Sequence, residues 1–171
     1  MTTAGRIATR TYLEMTSPSE LRPARLQAPG LSLTRDASRD PALWRMLYTT
    51  VGGQYRWTDR LPWSDEEAGA YLADPAISLW VLRDHGNIAG YFELKKYDDG
   101  AVEIVYFGLL PAYTGRGLGG HLLTEAVECS WNLGATRVWL HTCTFDHAAA
   151  IPNYLARGFT AFKTEQYEAA P

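Results

Sequence analysis

The chain has 171 residues, 46% of them hydrophobic and 20% charged, enough for one packed core but short for two domains. A formal net charge of −3 argues against a nucleic-acid binder that works through phosphate contacts. Cys129 and Cys143 have no CxxC or Cys/His ligand spacing and no apolar run reaches membrane-helix length, so the expectation is a cytoplasmic domain with no metal and no membrane partner.

Residues 1–10 lack periodicity and read as loose chain. Residues 11–16 alternate as a short extra strand that Pro18 ends, and residues 1–30 read as an N-terminal extension to a single domain over 31–171. Residues 31–35 alternate again as a strand. Asp40 before Pro41 is an N-cap followed by proline at the first helical position, and Gly52-Gly53 stop that helix. An aromatic loop over 54–63 precedes the capping box Ser64-Asp-Glu-Glu67 of a second, short helix. Residues 77–83 and 88–95 form a hairpin about Asp84-His-Gly-Asn87, and Asp98-Asp-Gly100 turns the chain into a third strand over 102–110.

Gly115, Gly117, Gly119 and Gly120 follow that strand and open a helix whose stripe of Leu118, Leu122 and Ala126 runs to Gly134. Residues 137–142 are the next strand. A helix capped by Asp146 ends at Gly158, with Pro152 in its middle to kink it, and a last strand starts at 159–162. This order implies an α/β fold with a mixed, largely antiparallel central sheet flanked by helices. The chain stops early for such a sheet, so its last edge is filled by the strand at 11–16 or by a partner copy in a homodimer.

Backbone N–H groups at a helix N-terminus have no internal partner, and glycines let an anion approach them, so residues 115–120 read as a phosphate cradle. The pattern GxGxxG at Gly115–Gly120 also suggests a dinucleotide fold. A Pro-containing turn after the strand, no acidic residue ending the next strand, and too little remaining chain count against it. A P-loop is excluded because no Gly-Lys-Ser/Thr follows.

Strand, turn and Thr114-Gly-Arg-Gly-Leu-Gly119 resemble the acyl-CoA site of the GNAT superfamily of N-acyltransferases, with Thr114 where Gln or Arg is usual. The resemblance continues in Ala150, Tyr154, Gly158 and Phe159, which fall in register with the family's later helix motif, while His147 stands where Asn is usual. It implies an acetyl-CoA-dependent N-acetyltransferase of GNAT-like fold. The donor would lie on Leu109, Leu110, Gly115, Arg116, Gly117, Leu118, Gly119, Gly120, His147 and Tyr154. A backbone N–H near Leu109 would polarise the thioester carbonyl.

Attack on a thioester needs a deprotonated amine and a protonated leaving group. The resemblance implies Glu103 as general base and Tyr154 as general acid, and a glutamate among apolar neighbours is expected to have a raised pKa. Alternation puts Glu103, Val105, Phe107 and Leu109 on one face unless a bulge intervenes. Tyr55, Trp57 and Trp63, with Trp44, suit an apolar or cationic amine. Glu93 and His141 join them as substrate-binding residues, although Glu93 can equally pair with Lys95 or Lys96. The expected acceptor is a small-molecule amine; a protein or peptide amine, or a silent acyl-CoA-binding module, are the alternatives.

Overall fold

A computed structural model describes residues 5–169. Seven strands form one sheet in the order β2-β3-β4-β5-β6-β1-β7. They are β1 (Arg6–Met15), β2 (Leu31–Arg35), β3 (Ile77–Asp84), β4 (Asn87–Lys96), β5 (Ala101–Leu109), β6 (Arg137–Cys143) and β7 (Thr160–Ala169). The β5–β6 pair is parallel and every other pair is antiparallel. Helices α1 (Pro41–Gly52) and α2 (Asp65–Ala73) cover one face, and α3 (Leu118–Asn132) and α4 (Ala150–Ala156) the other. No helix among the described residues is long and apolar enough to cross a membrane.

Local chemistry explains most boundaries. Asp40 Oδ1 accepts from the Ala42 N–H at the start of α1, and Ser64 and Glu67 form a complete capping box on α2. His85 (φ 48°) and Gly86 (φ 84°) make the tight β3–β4 turn, in which consecutive left-handed residues match the strand twist. Leu118, Leu122, Leu123, Ala126 and Val127 of α3 bury against Phe92, Val102 and Ile104 of the sheet.

The strand expected at 11–16 is an inner strand of the sheet and begins at Arg6. β1 lies between β6 and β7, pairing Leu13 with Leu140 on one side and Ala161 on the other. Leu13 and Met15 are fully buried. Residues 6–10, expected to be loose, belong to this strand because β6 and β7 supply hydrogen-bond partners on both edges.

Two further expectations change. Alternation along β5 is interrupted: Glu93 of β4 pairs with Tyr106 and Leu94 with Ile104, leaving Val105 as a bulge. Glu103 therefore shares its face with Tyr106, beneath α1, and not with Phe107 and Leu109, which pack toward α3. The last helix starts later than Asp146. Pro152 then falls in its first turn, where an N–H has no intrahelical partner in any case, and it does not kink the helix.

Candidate active site

β5 and β6 pair only from Ala101–Arg137 to Glu103–Trp139. Beyond that point they splay apart, and the Val105 bulge adds to the divergence by bending β5. A cavity of about 990 Å³ opens between them. Residues 104–109 form one wall and Leu140, His141 and Cys143 the other; Tyr154 of α4 and the glycine loop close one end. Tyr55 to Arg60, from the α1–α2 connection, line the opposite part.

The Leu110 N–H donates to Ala89 O of β4 at 2.8 Å. Alternation then turns the Leu109 N–H the other way, into the gap toward β6, as a free donor in the cavity wall. At the glycine end, Gly115 and Gly117 both have φ 76°. Gly117 is the N-cap of α3 and brings no side-chain cap, so the first-turn N–H groups stay open to a ligand. A Cβ on Gly115 would meet nothing within 4 Å, so its surroundings are open space. An α-helix of 15 residues with uncapped N–H groups behind such a loop fits a pyrophosphate.

Among the residues expected to bind the donor, Leu109, Gly115, Gly117, Gly119, Gly120, His147 and Tyr154 line the cavity. Leu110 packs on the α1 side, Leu118 is buried beneath α3, and the Arg116 guanidinium lies over the Tyr113 ring at 5.2 Å. Those three side chains are outside the cavity. The Thr114 hydroxyl donates to Pro111 O at 2.9 Å, closing a helical turn and so not offered to an anion. His147 Nδ1 accepts from the Ala149 N–H at 3.0 Å.

Tyr154 is buried, and its ring meets Phe107 and Phe159 edge-on. Burial, helped by the negative charge of Asp146, pushes its phenol well above the ordinary value. Its hydroxyl is therefore held neutral, as a donor.

Glu103 is 6% exposed and does not line the cavity. Its Oε1 accepts from Tyr97 Oη at 2.7 Å, and its Oε2 lies 3.9 Å from His141 Nε2. His141 does line the cavity and stands between Glu103 and the open space. Burial lowers the His141 pKa below the ordinary imidazole value, while Glu103 acts in the opposite sense.

The acceptor end also differs from expectation. Glu93 is fully buried and does not line the cavity. Arg60, a residue with no local sequence signal, grips both its oxygens at 2.8 and 2.9 Å, and Trp44 Nε1 and Tyr71 Oη complete its shell. Neither Lys95 nor Lys96 is its partner. Burial opposes the Arg60 charge, but Glu93 more than offsets this and holds its pKa above normal. Trp63 stacks on Trp44 at 5.6 Å and stays out of the cavity. Tyr55, Trp57 and His141 remain in it.

Asp146 is the residue the sequence reading misplaced. It caps no helix; Oδ2 accepts from Thr142 Oγ1 and, at 2.9 Å, from the Cys143 N–H, and Oδ1 from Trp57 Nε1 at 3.4 Å. The available signal was position, since ligands gather beyond the carboxyl ends of parallel strands and Asp146 directly follows β6.

The family model described as Acetyltransferase (GNAT) family matches residues 43–159. Over 70 residues the chain is 39% identical to an uncharacterized N-acetyltransferase of Mycobacterium bovis, an alignment covering 41% of this chain and 45% of that protein. Over 84 residues it is 37% identical to the mycothiol acetyltransferase of Corynebacterium efficiens, covering 49% of this chain and 27% of the relative. A GCN5-related N-acetyltransferase from Sphaerobacter thermophilus superposes with a TM-score of 0.71 over 98% of this chain and 54% of its own, at 18% identity, which bears on the fold alone. The matches thus span about half or less of the length of these proteins. The matched residues 43–159 take in both splayed strands, the glycine loop and α4, and the chain belongs to the acetyltransferase (GNAT) family.

Proposed function

We propose that the chain is an N-acetyltransferase that moves an acetyl group from acetyl-CoA to a primary amine of a small molecule, by direct attack in a ternary complex. The observation that carries this reading is the splaying of β5 from β6, which leaves the Leu109 N–H, the glycine loop and the Tyr154 phenol around one cavity. Acetyl-CoA supplies the activated thioester; the chain supplies position, polarity and proton handling.

N–H groups of residues 115–120 hold the pyrophosphate, and the Leu109 N–H is aimed at the oxyanion that develops on the thioester carbonyl. Tyr154 offers its neutral hydroxyl to the departing sulfur. Its raised pKa keeps that hydroxyl protonated and ready to act as the general acid, so that the sulfur leaves as the thiol.

His141 takes the proton that the amine gives up. Its lowered pKa keeps it neutral near pH 7, and its Nε2 lies 3.9 Å from Glu103 Oε2. Glu103 acts through His141 as a positioning residue that stabilises the imidazolium formed.

Thiol release from acetyl-CoA, measured across a panel of small amines and peptides alongside calorimetric titration of CoA, tests the reading. CoA binding together with amine-dependent thiol release supports it. Failure to bind CoA overturns it, as does CoA binding with no turnover on any acceptor. Release confined to peptides overturns the small-molecule assignment.

A further inference from the structure

The acceptor is a protonated amine when it arrives, and the cavity contains a carboxylate suited to it. Asp59, Asp146 and Glu168 line the space. Asp59 and Glu168 are exposed; Asp146 is half-buried. Asp146 is fixed by three neutral donors on Trp57, Thr142 and Cys143, and no side-chain cation pairs with it among the described residues. Glu93, by contrast, is neutralised by Arg60. A partly desolvated carboxylate held in place without a counter-charge is a preformed site for a cation.

The walls beside it are aromatic. Trp57 donates to Asp146, its ring lies 4.8 Å from that of Tyr106 and 6.3 Å from that of Tyr55, and all three rings line the cavity. The field of Asp146 reaches this region, since it adds to burial in raising the Tyr55 phenol.

The geometry points to Asp146 as the acceptor's ammonium-binding residue, with Trp57, Tyr106 and Tyr55 taking a flat apolar body, so that the substrate is a singly charged primary amine on an aromatic frame. This rests on the acetyltransferase reading and narrows it. A polycation is disfavoured because Arg56 lines the same end of the cavity. Asp146 holds the ammonium; its first proton passes through His141 to solvent, the free amine attacks, and His141, neutral again, takes the second N–H proton as the adduct collapses to the amide and the sulfur leaves.

The test is calorimetry on the full chain saturated with CoA, using 2-phenylethylamine, the uncharged 2-phenylethanol and spermidine as probes. Wild type should bind the amine at least about tenfold more tightly than the alcohol, the scale of one charge-assisted contact. Asp146→Asn, which keeps one oxygen to accept from Thr142 and Cys143 and loses the acceptor for Trp57, should bring the amine close to the alcohol and leave CoA affinity unchanged. Trp57→Leu should weaken amine and alcohol together. Equal binding of amine and alcohol to wild type, an unchanged amine affinity in Asp146→Asn, or preference for spermidine overturns the assignment. Absence of CoA binding by wild type overturns the parent reading and this one with it, whereas failures of the amine arm with CoA bound overturn this one alone.

Discussion

At the scale of single residues, the proposed mechanism divides between Glu103 and His141 the work that one glutamate was expected to do. Catalysis needs neutral His141, so kcat falls as pH drops through its pKa. That pKa is lowered by burial and by Arg10, and raised by Glu103, Asp146 and Glu165. Glu103→Gln removes a raising influence, so the acidic limb of the kcat–pH profile moves to lower pH. The plateau rate falls as well, because the imidazolium loses its partner. A limb that stays in place while the plateau drops would mean that Glu103 does not act through His141. The Arg60–Glu93 pair makes a different prediction, because it is structural. Arg60→Leu leaves a fully buried carboxylate without its partner and should cost about 3–5 kcal/mol in urea unfolding. Arg60→Leu with Glu93→Leu should recover much of that loss.

At the scale of elements, the site depends on two backbone irregularities. The Val105 bulge puts Glu103 on the same face as Tyr106 and helps open β5 from β6. Gly117 holds a left-handed conformation at the N-cap of α3, and a Cβ there would meet Leu26 Cδ1 at 3.7 Å, ordinary contact. Gly117→Ala therefore introduces strain of about 1–2 kcal/mol without a clash. It should weaken CoA binding in calorimetry while the fold persists; unchanged CoA affinity would remove Gly117 from the cradle. The caps of α1 and α2, the hairpin turn and the glycine-led start of α3 were legible in the sequence because each is set by residues a few positions apart. The bulge was not, since β5 shows no glycine or proline at Val105 and the register is decided by what β4 places opposite. Asp146 was misread for a related reason: Asp before a run of alanines looks like an N-cap, and only the fold brings Trp57 and Thr142 to it.

At the scale of the molecule, the topology has one feature no local pattern announces. β1 is an inner strand, and removing it would strip β7 of its neighbour and take the buried Leu13 and Met15 out of the core. Core deletions of this size cost about 2–5 kcal/mol each, a large share of the roughly 5–15 kcal/mol that holds a domain together. A chain beginning at Ser17 should lose cooperative thermal unfolding by circular dichroism; a cooperative transition near the wild-type temperature would show β1 to be dispensable. Class and order of elements were legible because hydrophobic period and turn residues carry them. The placement of β1 was not, because strand order rests on pairings more than a hundred residues apart. The family match, at residues 43–159, likewise omits β1 and β7. The central claim, that the cavity joins a thioester donor to an amine acceptor, is tested most directly by stoichiometry. Thiol released from acetyl-CoA and N-acetylated amine, quantified together across the panel of small amines, should appear one for one with at least one acceptor and vanish when the amine is omitted. Thiol release that is absent, or that proceeds equally without the amine, would contradict the account.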